Sequence, residues 1–376
     1  MKTFTNTLAG AGFCLAGFAL SPAWATNGTQ LTGYGSKAQG MAGVSLAFPQ
    51  DALAASNNPA GMAFVGHRLD LNAQFIMLRM EGTFGGFDNE GTGFAPVPEI
   101  GYNRPLGDQW TIGVSTASGG GAAKYDDQLY TGGPDETKGL YTSTIILPTV
   151  TYKPAPDLAF GASLAVGVHV LDLDNLPGVG DHGLEAAAGV GLRAGVLWKP
   201  TDTVSVGAMY GSKIDMGELS GYSEDILAPV DGKIDLPEQW GIGVAVELSD
   251  RLTLAGDYLR INWSDTQFSD LFGFRSQNVY RVGLSYELRS DLTLRGGVAV
   301  ADRHFDTDFV NNLPLLPAID ANVVSAGFTK DLGNGRELTG GIEYDFDSRA
   351  IGTGPSDGAE MDTDFLIVSI GYGWRF

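Results

Sequence analysis

From residue 67 onward, large apolar side chains recur at every second position. At the end of the chain Leu366, Val368, Ile370, Tyr372, Trp374 and Phe376 alternate with Ser369, Gly371, Gly373 and Arg375. Leu158, Phe160, Ala162, Leu164, Val166, Val168 and Val170 oppose Gly161, Ser163, Gly167 and His169 in the same way. Tyr280, Val282, Leu284, Tyr286 and Leu288 oppose Arg281, Gly283, Ser285 and Glu287. A period of two puts each set on its own face of a β-sheet. The second face is rich in glycine and carries isolated charges of both signs. That suits the confined interior of a barrel better than a solvent face.

About fourteen segments alternate, at 67–81, 96–103, 110–118, 143–153, 158–173, 185–199, 203–216, 237–248, 251–268, 277–288, 291–302, 319–331, 336–347 and 363–376. Short turns at 104–108, 154–157, 200–202, 249–250, 289–290 and 332–335 lie between longer polar segments such as 172–184, 217–236, 302–318 and 348–362. The spacing predicts an all-β fold, a transmembrane antiparallel β-barrel of the outer membrane with both ends on the periplasmic side. Segment 251–268 is the least regular. Its apolar face switches after Tyr258, which predicts a bulge.

Residues 26–66 do not alternate. They are mostly small, with Asp51 opening and Asn58-Pro59 closing a short Ala-rich stretch that predicts a helix. A solvated tail has no use for Met41, Leu46, Phe48, Leu53, Met62 and Phe64, so the segment reads as a hatch inside the lumen. Residues 1–25 carry Lys2, an apolar run over 8–20 and Ala23-Trp24-Ala25, the pattern of a secretory signal. The run is too short to span a membrane as a helix. The division is therefore signal peptide 1–25, hatch 26–66 and barrel 67–376.

Composition narrows the function. Of 376 residues 54 are glycine, about twice the usual share. A formal charge of -21 leaves no basic face for nucleic acid. The single cysteine, Cys14, can build neither a disulfide nor a metal framework. His67, His169, His182 and His304 have no metal-ligand spacing, and no G-x-S-x-G occurs, so we expect no enzyme, catalytic residue, metal or cofactor. Asp306-Thr307-Asp308 and Asp362-Thr363-Asp364 match calcium loops only in part, and read as solvated acid in outer loops facing lipopolysaccharide. The outward apolar faces imply outer-membrane lipid as a partner. The terminal Phe376 suits recognition by the barrel-assembly machinery, and we expect a monomer.

The chain resembles the outer-membrane hydrophobic-compound channels of the FadL/TodX type. The marks are the glycine-rich start from Gly33 to Met41, the box Asn58-Pro59-Ala60-Gly61, Leu236-Pro237-Glu238-Gln239-Trp240, Asn262-Trp263 and Tyr280-Arg281. The resemblance implies a fourteen-stranded barrel with an N-terminal hatch, carrying long-chain fatty acids or aromatic and aliphatic hydrocarbons. It places Asn58, Pro59, Ala60 and Gly61 at a hatch hinge. It also implies an inward kink in the third strand that opens the wall toward the bilayer, matched here by Ser118-Gly119-Gly120-Gly121, whose glycines weaken pairing. A flexible loop start is the other reading of that triplet. Candidate pocket residues are Met41, Leu46, Phe48 and Phe64. For a carboxylate ligand Arg193, Arg281 and Arg295 are the candidate partners; otherwise they neutralise Glu247, Glu287 and Glu343 across the lumen. The acidic charge favours neutral substrates. The alternative function is a diffusion porin for small solutes.

Overall fold

The computed structural model describes residues 27–126, 129, 136–317, 319 and 322–376. The signal expected over residues 1–25 lies outside them. The strands are β1 (Arg68–Phe84), β2 (Phe87–Leu106), β3 (Trp110–Tyr125), β4 (Thr137–Ala155), β5 (Leu158–Asp174), β6 (Glu185–Thr201), β7 (Val204–Gly211), the two-residue β8 (Asp215–Met216), β9 (Gln239–Ser249), β10 (Leu252–Ile261), β11 (Gln277–Arg289), β12 (Leu292–Ala301), β13 (Asn322–Gly333), β14 (Arg336–Ile351) and β15 (Glu360–Arg375). Leaving aside β8, which only adds to β6, each of the fourteen others pairs antiparallel with its neighbours in sequence, and β15 pairs with β1. The barrel is closed, so most of its backbone groups are satisfied without water.

The alternating apolar residues form the outside. Leu164, Leu192, Ile242, Val282, Ile342 and Ile370 are all exposed there. Aromatic side chains cluster at both ends of this surface, as expected where rings meet the membrane interface. Trp110 packs on Tyr152 at 4.6 Å and Tyr372 on Trp374 at 4.5 Å near the turns; Tyr258 contacts Trp240 and Tyr280, each at 5.4 Å, at the other end.

The inner face changes character with height. On β1 the buried residues run from Arg68, Asp70 and Gln74 near the periplasmic end to Ile76, Leu78 and Met80 above. This gradient corrects the reading of 251–268. Strand β10 ends at Ile261, followed by a 3₁₀ turn at Trp263–Asp265 and helix α3 (Gln267–Phe272). Its ladders run through Tyr258 without a bulge; the shift lies at Leu252/Thr253. The apolar residues change sides because Leu259 and Ile261 face an apolar upper lumen, where both are buried.

Two further expectations change. The connection between β1 and β2 is the pair Gly85-Gly86, with φ of 58° and 85°, the left-handed geometry that two-residue hairpins require. The strands therefore extend well past the membrane rather than ending in a long loop. The segments read as polar outer loops also fold inward. Leu219, Tyr222 and Leu227 of 217–236 and Phe305, Val310 and Leu313 of 302–318 join one buried cluster over the mouth, together with Trp263, Phe268 and Phe274 beyond β10.

Candidate functional site

The N-terminal segment fills the polar lower lumen. It contains α1 (Ser36–Gln39), α2 (Ala54–Asn57) and a 3₁₀ helix (Pro59–Phe64). Four-residue helices do not persist alone in water, so the wall must hold them. Glycines let it come close. A Cβ on Gly297 would lie 2.3 Å from the Met41 carbonyl carbon, and one on Gly161 2.3 Å from that of Pro59. Wall side chains then satisfy the segment's backbone. Glu99 accepts from Gly35 N–H at 3.0 Å, Asp70 from Ala52 at 2.8 Å, and Asp257 from Ser45 and Leu46 at 2.7 and 3.1 Å. Gln74 donates to the Gly33 carbonyl at 3.0 Å and Asn103 to that of Met62 at 3.0 Å.

At the base sits a buried ionic cluster. Glu337 on β14 pairs with both Lys37 of α1 and Arg68 of β1, and Arg68 also holds Asp70 at 2.6 Å. Burial pushes the nearby Asp51 carboxyl up to about 6, reinforced by the Asp70 carboxylate against the opposing pull of Lys37 and Arg68. The docked segment then keeps a proton that a released one would give up. Docking gains from this group in full below its ordinary value of 3.8, and the gain is lost as pH rises through about 6. Protection factors of residues 36–57, taken against intrinsic exchange at each pH, are expected to be larger at pH 5 than at pH 7.5, a difference that Asp51→Asn should abolish.

The structure brings the Asn58-Pro59-Ala60-Gly61 box against β5 and β6. Asn58 donates to the carbonyls of Leu46 (2.8 Å) and Val196 (3.1 Å), and its Oδ1 caps the 3₁₀ helix by accepting from Ala60 N–H at 3.1 Å. Thr151 donates to the Pro59 carbonyl at 2.9 Å. The three arginines also serve the segment. Arg193 donates to the Ser56 carbonyl, Arg281 to that of Gly43 at 3.1 Å, and Arg295 to Gln50 Oε1 at 2.7 Å and Thr329 at 2.7 Å. Their expected partners Glu247 and Glu287 are exposed instead. Met41 and Leu46 are buried between segment and wall, and Phe48 packs on Val44, Ala47, Ala245 and Ala255. Phe64 lies beside Ala60, Ala159 and Leu197, under Lys153 and Lys199.

None of these lines the two apolar cavities higher in the lumen. The inner one, of about 80 Å³, is bounded by residues 28–32, by Ile76, Leu78, Phe365 and Ile367, and by Gly120 and Gly121 of β3. The outer one, of about 330 Å³, lies among Leu171, Leu173, Ile226, Phe268, Phe272 and Leu316 beneath the inward-folded segments.

Next to the inner cavity the wall is not zipped. Strands β2 and β3 pair at Gly91–Thr92 and again from Gly101, with no ladder between 93–100 and 116–123, while β3 stays paired to β4 throughout. Gly120 has φ of 93° and donates its N–H to the Thr29 carbonyl at 2.7 Å, so β3 turns inward onto the N-terminal segment. Two residues that the sequence reading passed over explain the other edge. The N–H of Ile100 points toward β3, where it bonds Thr116 Oγ1 at 3.0 Å. Positions 98 and 96 face the same edge by alternation, and both are proline, without a donor to offer. Proline inside a strand is the signal that could have found this, since it belongs at unpaired edges.

The model of the family described as outer membrane protein transport protein (OMPP1/FadL/TodX) matches residues 12–350. Among solved structures, the chain is similar to the Pseudomonas putida toluene transporter TodX, with 20% identity and a TM-score of 0.74 over 93% of this chain and 100% of that one. A Pseudomonas aeruginosa FadL homologue shares 16% identity at a TM-score of 0.72, over 93% and 100% of the two chains. The monoaromatic hydrocarbon channel CymD shares 18% at a TM-score of 0.61, over 92% and 98%. No curated protein matches the chain.

Proposed function

Because the chain belongs to the OMPP1/FadL/TodX family, outer-membrane transporters of hydrophobic compounds and not enzymes, we propose that it takes up small neutral apolar molecules through a hatch-gated barrel with a lateral exit. The observation that carries this is the inner cavity, which touches both the N-terminal segment and the unzipped stretch of wall. An apolar solute gains about 0.8 kcal/mol for each CH₂ it withdraws from water. The outer cavity collects it beneath the apolar cover, and the inner one receives it. Residues 28–32 both line that cavity and hold β3 through the Thr29–Gly120 bond, so a solute pressing on them loosens the inward turn. It then leaves between β2 and β3, past the outward Phe94, Pro96, Pro98 and Ile100, into lipid.

In this scheme residues 27–66 are the hatch and the rest of the described chain the barrel. The Asn58 box is its fixed end, tied to β5 and β6, about which the earlier residues turn. Neutral cargo is favoured over long-chain fatty acids because Arg193, Arg281 and Arg295 are occupied below the cavities. The toluene transporter and the monoaromatic channel among the similar folds agree with that choice.

Deleting residues 27–66 tests the gate. The expected result is ion conductance in planar bilayers rising from baseline to that of an open pore. Unchanged conductance would sink the hatch. Toluene uptake exceeding that of a long-chain fatty acid in cells producing the protein is the expected result for the cargo, and the reverse order overturns it.

A further inference from the structure

The inner cavity is lined mostly by apolar residues, with Thr29, Gln30, Thr32 and Tyr141 adding uncharged polar groups. Asp345 of β14 is the only charged residue among the described residues that line it. Its side chain is buried, 1% exposed, and its Oδ1 has no hydrogen-bond partner. Glu343, also 1% exposed, stands two positions along on the same inner face. Among the described residues neither carboxyl is in an ion pair; Arg281 donates to the Gly43 carbonyl, though its charge also acts on Glu343. A buried carboxyl oxygen without a partner is costly to leave unmet. The strands here are fixed by continuous ladders to β13 and β15 up to Asp345 itself, so the group cannot swing away to solvent.

We propose that this cavity selects apolar molecules bearing a hydrogen-bond donor, a hydroxyl or a protonated amine, with Asp345 as the acceptor that reads it, and that it rejects carboxylates. The inference rests on the cavity being the transport site proposed above. The geometry favours a head group at one end of a small molecule. Apolar contact comes from Ile76, Leu78, Phe365 and Ile367, and the only carboxyl of the lining lies on the β14 side. A volume of about 80 Å³ is several times what one water needs, about 10–15 Å³, so the room is for a solute. A carboxylate would bring a third acid group beside Asp345 and Glu343 with no cation in the lining, whereas an amine supplies a cation for them. A hydrocarbon fits the walls but leaves the acceptor unmet.

Four probes of one size separate these cases: toluene, benzyl alcohol, benzylamine and benzoate, each titrated calorimetrically into the full chain in detergent. Comparing variants rather than probes removes their different affinities for water. Asp345→Leu is expected to weaken benzylamine and benzyl alcohol about ten-fold, the scale of one lost hydrogen bond to a charged or buried acceptor, and to leave toluene equal or tighter. Asp345→Asn keeps the shape and an acceptor while removing the charge. It should weaken benzylamine and spare benzyl alcohol, which keeps the test decisive where the leucine variant fails to fold. Toluene binding with donor probes unaffected by either change overturns this inference alone. Benzoate binding the native chain as tightly as benzylamine also overturns it. If none of the four binds, the transport-site reading fails first.

Discussion

Alanine at Glu337 is expected to release the N-terminal segment from the barrel. The carboxylate is the shared partner of Lys37 and Arg68, all three are buried, and only Lys37 belongs to the segment. Breaking a buried ion pair by removing one side costs about 3–5 kcal/mol, because the other charge stays behind without compensation. Arg68 retains Asp70. Lys37 retains only the Gln50 carbonyl, at 3.1 Å. Asp51 can take over as counter-charge only by surrendering its proton. The variant should therefore show frequent opening steps in bilayer recordings and faster proteolysis of residues 27–57, with barrel heat-resistance unchanged. A closed, protected segment in Glu337→Ala would mean that the glycine-lined contacts hold it without the ionic cluster.

Restoring donors to the β2 edge should close the wall. In Pro96→Thr/Pro98→Thr both positions regain an N–H aimed at β3. Each added ladder bond is worth about 1 kcal/mol net, and two together shift an open–closed balance ten- to hundred-fold. Uptake should fall on that scale while binding of toluene in the inner cavity persists. Hydrogen exchange over residues 93–100 should slow in parallel. Slowed exchange with undiminished uptake would show that cargo leaves by another path, through the periplasmic end.

The barrel was legible because lipid imposes one chemistry on one face of every strand, so Leu366 to Trp374 or Tyr280 to Leu288 announce themselves. Strand ends were not. Beyond the membrane, β1, β2 and β14 continue with polar residues on their outer faces, and the period fades at Glu81 and again near Arg349. The apolar residues of the outer segments, such as Tyr222, Phe274 and Val310, follow no period because they pack on one another rather than on a sheet. Arg193, Arg281 and Arg295 were recognisable as lumen residues. Their partners were not, because the backbone carbonyls of Ser56 and Gly43 and the side chain of Gln50, 137 or more residues away, leave no mark in the sequence. Asp345 was hidden for a related reason: alternation says that it faces inward, and only the fold says that its Oδ1 meets no hydrogen-bond partner there. Pro96 and Pro98 were the reverse case, a visible signal whose meaning depends on knowing which edge of β2 they occupy.

The unladdered stretch of β2 has a meaning for the bilayer as well as for the cargo. Prolines remove donors and leave their carbonyls, so between 93 and 100 a row of backbone acceptors meets hydrocarbon, which cannot satisfy them. Acyl chains are expected to give way at such a seam, with headgroups or water reaching deeper there than elsewhere around the barrel. On the lateral route proposed above, a solute would thus enter the membrane at a locally thinned and disordered patch.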